Sequence, residues 1–292
     1  MLHDQLSATP LQPLAGRAAE LADRVATQLA GHAPLGVAYS GGVDSALLLA
    51  LAVRALGAER VTPILAVSGS LARREHRTAL AQAAQIGVEV VEVATREQEL
   101  PAYQANDADR CFHCRDELFT LIDDELIPRL GLRAVAYGEN LDDSARLDRP
   151  GARAAVEHRV LKPLADAGLT KADVRFVAGE LGLLVADKPS APCLASRIPH
   201  GQPVTPQRLA QIEDAEDAVL DEGFSDCRVR HHGEIARIEV PTNELARLAD
   251  PEVRARLTSR LKAIGFRFVT ADLDGIQSGA FTLPLLTLRG HG

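Results

Sequence analysis

The chain has 292 residues, 46% of them hydrophobic and 25% charged, so it is long enough to bury a substantial core and too apolar for global disorder. Its formal net charge of −8 argues against a broad nucleic-acid footprint, which needs clustered Lys and Arg. No apolar run reaches the roughly 18 residues that span a bilayer, and neither a secretion leader nor a lipidation motif is evident, so a cytoplasmic protein with no membrane partner is expected.

Leu14 to Ala30 reads as an amphipathic helix, Leu35 to Tyr39 as a short apolar strand, Val43 to Leu56 as a helix and Val61 to Val67 as a second strand. Leu71 to Ile86 is helical and Val88 to Val93 strand-like. Arg115 to Leu130 is helical, ending at Gly131, and Leu132 to Tyr137 is a fourth strand. This alternation predicts an α/β fold, a parallel sheet with helices on both faces and ligands at the carboxyl ends of the strands. Gly138 to Pro163 reads as loop, with Arg149-Pro150-Gly151 as a breaker. Leu169 to Leu181 reads as a helix capped at Thr170, with Asp173 three residues on.

Lys188 to Thr205 holds four prolines around Cys193 and is expected to be an irregular, functional loop. A helix follows from Pro206 to Glu222, closed by Gly223. Strands Cys227 to Arg230 and Ile235 to Val240 flank a His231-His232-Gly233-Glu234 turn. A helix from Asn243 to Ile264 and a strand from Phe266 to Leu273 complete an α-β-β-α-β order, which predicts a smaller second domain from about residue 200.

Ser40-Gly41-Gly42-Val43-Asp44-Ser45 joins an apolar strand to a helix. Gly41 and Gly42 let the backbone turn tightly, and the free N–H groups at the helix start favour a pyrophosphate. Ser40 and Ser45 add hydroxyl donors, and Asp44 can help hold Mg²⁺ across the phosphates of ATP. No Lys follows Gly42, so this is not the G-x-x-x-x-G-K-[ST] loop. The hexapeptide matches the SGGxDS motif of the PP-loop family, which splits ATP between its α and β phosphates.

Cys111-Phe112-His113-Cys114 is a single C-x-x-C, open between a zinc half-site, a redox pair and cluster ligation. Cys111, Cys114 and Cys193 together would leave one corner of a [4Fe–4S] cluster open, whereas Cys227 shares a strand face with Val229 and reads as core. Arg228 and Arg230 share the opposite face, as a phosphate clamp or as a solvated pair.

Several stretches together resemble one PP-loop family, the LarE-type ATP-dependent sulfur transferases of nickel-pincer nucleotide synthesis for lactate racemase. They are Ser40 to Ser45, Arg110 to Arg115, Asn140-Leu141-Asp142-Asp143, Arg149-Pro150-Gly151, Lys162-Pro163-Leu164, Asp187 to Pro199, Arg228-Val229-Arg230 and Asp272 to Gly275. The resemblance implies a PP-loop (adenine nucleotide alpha hydrolase-like) doubly wound sheet over residues 1–199. Residues 200–292 would form a C-terminal α+β domain for substrate binding and oligomerisation. It also implies adenylation of a carboxylate on a pyridinium dicarboxylate mononucleotide, followed by sulfur transfer. Cys193 would be the catalytic residue, and Arg197, Arg228 and Arg230 the clamp for the substrate phosphate. Glu216 would be an acidic partner or metal ligand, with Cys111, Cys114 and Cys193 on a [4Fe–4S] cluster. A homo-oligomer, a hexamer among the options, belongs to the same expectation. The competing readings are a tRNA thiolase, an NAD-synthetase-like amidating ligase and a non-enzymatic nucleotide sensor.

Overall fold

The computed structural model describes residues 11–145 and 150–277. They fall into two compact units. The first holds the chain up to Ser68, Arg73–Arg96 and Cys111–Ala191; the second holds Gly69–Ala72, Glu97–Arg110 and the chain from Pro192. The second unit therefore takes in two segments that precede residue 200 by far.

In the first unit, strands β1 (Leu35–Ala38), β2 (Val61–Val67), β3 (Val91–Ala94) and β4 (Ala134–Tyr137) form a parallel sheet in the order β3-β2-β1-β4. The predicted α/β architecture is the one observed. Helices α1 (Gly16–Leu29), α2 (Val43–Leu56) and α3 (Arg73–Ile86) alternate with the strands. Apart from Asp44, the first ten residues of α2 are all buried, so it is apolar all round rather than striped. Helix α4 (Arg110–Leu121) starts five residues earlier than the sequence pattern suggests, and takes the C-x-x-C into its opening turns. A π-helical turn, Ile122–Leu126, follows, and the run ends at Gly131 with φ +62. The segment expected as loop is partly helical: Leu141–Ser144 forms one turn, and Pro150 opens helix α5 (Pro150–Glu157) instead of breaking the chain. Proline is suited to a first helical position because its missing N–H is not needed there. Arg149 lies outside the described residues. Helix α6 (Lys171–Glu180) carries the expected box, Thr170 and Asp173 each capping the other's backbone N–H.

His158, just past α5, sits between two carboxylates, Nδ1 at 2.7 Å from Asp123 and Nε2 at 3.0 Å from Asp116. Burial pulls its pKa down, but the two carboxylates outweigh that and raise it above the ordinary histidine value. A raised folded-state pKa gives stability that is complete below about pH 6.5 and is lost as pH climbs through the raised value. Thermal melts of wild type and His158→Ala should therefore differ most in mild acid and converge in mild alkali. A gap that widens with pH would sink this assignment.

In the second unit, β5 (Arg228–His232) pairs antiparallel with β6 (Ile235–Glu239), and β6 pairs parallel with β7 (Phe268–Ala271). His231 and His232 belong to β5, so the predicted turn narrows to Gly233-Glu234, with Gly233 at φ +67. Helices α7 (Pro206–Asp221) and α8 (Pro251–Ile264) bury Ala215, Val219, Leu257 and Leu261 against Cys227, Val229 and Ile238. Cys227 is thus a core residue, as its alternation with Val229 predicts. The helix expected from Asn243 is split before α8, because Asp250 caps Glu252 and Val253 and Pro251 takes the first helical position.

Candidate functional site

Ser40 to Ser45 turn the chain from the carboxyl end of β1 into α2. β1 lies between β2 and β4, the point where strand order reverses and ligands of such sheets collect. Gly41 is left-handed, φ +71, and a Cβ there would lie 2.5 Å from the Cβ of Ala79. Gly42 caps α2 without a side chain, so nothing from the cap covers the amides of the first turn. Ser45 Oγ donates to Gly42 O at 3.0 Å and accepts from Ser40 N at 3.2 Å, which fixes the curl of the loop. Gly138, following β4, passes so close that its Cβ would stand 2.6 Å from Ser45 N.

Gly41→Ala is therefore expected to leave the chain folded but move the loop. Displacing a phosphate-holding group by about 1 Å can cost about 10²-fold in rate, so pyrophosphate release from ATP should fall by that order. Unchanged release kinetics would show that the loop does not hold the phosphates.

Asp44 is anchored at both oxygens: Oδ1 accepts from Asn140 Nδ2 at 2.9 Å, and Oδ2 pairs with Lys171. Asn140 also caps the Leu141–Ser144 turn through Asp143 N at 3.0 Å, and Lys171 N donates to Asp142 at 2.8 Å. Buried Glu139 accepts from Tyr137 and Ser144, with Lys162 Nζ 3.9 Å away. These contacts give the Asp44 carboxylate a fixed place in the first turn of α2. The role of Lys171 was not legible in the sequence. Its only signal was its place directly after the Thr170 cap.

In the second unit, Cys193 is exposed and reduced, and precedes a single 3₁₀ turn, Leu194–Arg197. Arg197 is only 1% exposed. Its Nε and Nη2 fork onto Glu216 at 2.8 and 3.3 Å, and its Nη1 donates to Pro192 O and Cys193 O. Glu216 also accepts from Val229 N at 3.0 Å. In this geometry Glu216 is an acidic partner for Arg197, its oxygens turned to protein donors. Arg230 forks onto Glu239 at 2.9 and 2.8 Å and reaches Ser196 O at 3.1 Å; Arg228 donates to Asp226 and Cys227 O. Arg228 and Arg230 are both buried rather than solvated. His231 and His232 are lowered in pKa by burial first and by neighbouring arginines second, which keeps both rings neutral.

Cys111 is exposed and Cys114 half-buried on α4, in the first unit, neither in a disulfide. Three apart on a helix, they lie on one side of it. Among the described residues, no group of three or more His, Cys, Asp or Glu is assembled as a metal site. No helix among them is long and apolar enough to cross a membrane.

Residues 17–138 match the asparagine synthase family model. An uncharacterized Synechocystis protein is 40% identical over 243 residues, 83% of this chain and 90% of that one. The pyridinium-3,5-bisthiocarboxylic acid mononucleotide synthase of Lactiplantibacillus plantarum is 34% identical over 244 residues, 83% of this chain and 87% of the synthase. An uncharacterized Methanocaldococcus jannaschii protein is 25% identical over 247 residues. The glycine-bearing strand-to-helix turn at Ser40–Ser45, the family match over residues 17–138 and likeness to the synthase over most of both chains lead to one assignment. The chain belongs to the LarE-type family of ATP-dependent sulfur transferases within the PP-loop group.

Proposed function

We propose that this enzyme adenylates a carboxylate of a pyridinium dicarboxylate mononucleotide and converts it to a thiocarboxylate, a step in making a nickel-pincer nucleotide for an enzyme such as lactate racemase. The observation that carries this reading is the 34% identity with the Lactiplantibacillus plantarum synthase across 83% of the chain. A carboxylate oxygen attacks the α-phosphorus of ATP, the bond to the β-phosphate oxygen breaks, and pyrophosphate leaves into the amides of α2. Asp44, steadied by Asn140, would help hold Mg²⁺ there, and Lys171 is within reach of the same charge. A sulfur nucleophile then adds to the acyl carbon and AMP departs with the bonding pair.

Cys193 is the sulfur-bearing residue in this reading, and Arg228 and Arg230 prepare the ground for the substrate phosphate. Cys111, Cys114 and Cys193 are read as the thiolates that would hold a [4Fe–4S] cluster, a role their chemistry suits, and Cys227 is buried. When bound, such a cluster supplies an open iron able to carry sulfide. The enzyme is further read as a cytoplasmic homo-oligomer.

Labelled ATP incubated with the mononucleotide should give AMP and pyrophosphate. Formation of ADP would refute the adenylation step. Anaerobically purified protein should hold about four irons per chain. An iron-free protein with full transfer activity would remove the cluster and leave Cys193 itself as the source of sulfur.

A further inference from the structure

The segment that carries Cys193 has the composition of a loose loop, yet many of its backbone groups are held by residues distant in the sequence. Leu194 N donates to Ser70 O at 2.9 Å, and the Ser70 hydroxyl meets Tyr103 Oη at 2.6 Å. Asn106 is wholly buried at φ +56, a conformation Asn tolerates better than most residues. Its Nδ2 faces three carbonyls of the segment, Ile198 at 3.3 Å, Pro199 at 2.9 Å and Gln202 at 2.9 Å. Its backbone O accepts from Gly201 N at 3.1 Å. Arg110, also buried, spends one nitrogen on two acceptors, Asn106 Oδ1 and Ala195 O at 3.0 Å. These partners all belong to the second unit.

We infer that Asn106 and Arg110 are positioning residues for Cys193. Together they replace the hydrogen bonds that an irregular, proline-rich segment cannot make to itself, and so fix where the thiol is presented. Arg197 performs the complementary task from the segment's own interior, through Pro192 O and Cys193 O. The inference rests on the reading of Cys193 as the sulfur-bearing residue. Neither Asn106 nor Arg110 touches substrate in this account; both act through the segment.

Full-length Asn106→Ala and Arg110→Ala should be compared with wild type by hydrogen–deuterium exchange and by steady-state kinetics. Peptides covering residues 192–204 should exchange at least about tenfold faster, while peptides covering residues 35–56 keep wild-type rates. The kcat for thiocarboxylate formation should fall, with the KM for ATP unchanged. Arg110→Lys keeps the charge but not two fixed acceptor contacts, and should show the same pattern at smaller amplitude. It serves as the reading if Arg110→Ala does not fold. Unchanged exchange over residues 192–204 would overturn the proposal. So would faster exchange with undiminished sulfur transfer. Absence of sulfur transfer in wild type would instead overturn the proposed function, and the exchange data would still decide whether Asn106 and Arg110 hold the segment.

Discussion

Cys193→Ala should abolish thiocarboxylate formation while leaving release of AMP and pyrophosphate from ATP measurable. The two activities separate because they sit on different parts of the chain. In the proposed reading the diphosphate would be received by Ser40 to Ser45, whose geometry is set by Gly41, Gly138 and Ser45 within the first unit. Cys193 lies in the second unit, exposed at the head of the Leu194–Arg197 turn. Removing this thiol takes away its sulfur but no buried packing, because the side chain is exposed. A melting temperature within a degree or two of wild type is therefore expected. Cys193→Ser is the sterner control. It keeps a hydroxyl of similar size but not the sulfur, and should be as inactive as the alanine variant. Retained sulfur transfer in either variant would remove Cys193 from the chemistry, whichever cofactor is present.

Glu216→Ala should unfold the second unit far more readily than any surface change. Arg197 and Glu216 have side chains 1% and 0% exposed, so the variant leaves a guanidinium buried without its fork partner and strips Val229 N of its acceptor. Breaking one side of such a pair costs about 3–5 kcal/mol. The denaturant midpoint should fall accordingly, with the slope nearly unchanged. Replacing both charges, Arg197→Met with Glu216→Leu, should recover much of the loss, because apolar residues fill the volume without a desolvation penalty. Activity should not return with stability, since the carbonyls of Pro192 and Cys193 would have lost their donor. If Glu216→Ala were as stable as wild type, the pair would not be the internal brace described above.

The elements that bounded apolar runs and a local cap mark were legible in the sequence. β2 and α2 fall on the boundaries that Val61–Val67 and Val43–Leu56 predict, and the Thr170–Asp173 box is present in full. The Ser40–Ser45 turn was legible because its constraint is local: two glycines between a strand and a helix. What escaped was decided by distant partners. Pro150 looks like a breaker in isolation but starts α5, with Gly151 pressed against the side chain of Arg115. Arg197, Arg228 and Arg230 look like a row of free guanidinium groups until β6 brings Glu239 to Arg230 and α7 brings Glu216 against Arg197. Lys171 is one lysine in an ordinary helix start until Asp44, 127 positions earlier, is found beside it. Pair geometry of this kind leaves no mark at fixed spacing.

The patchwork make-up of the second unit also sets an order of events during synthesis. Residues 97–110 leave the ribosome well before residues 192–204, yet the side chain of Asn106 finds its carbonyl partners in the later segment. The early stretch must wait, with its polar groups on water, for almost a hundred further residues to emerge. A fragment that begins at residue 200 would lack that stretch altogether and should be insoluble when made alone. Coexpression with the preceding portion of the chain is the way to rescue it.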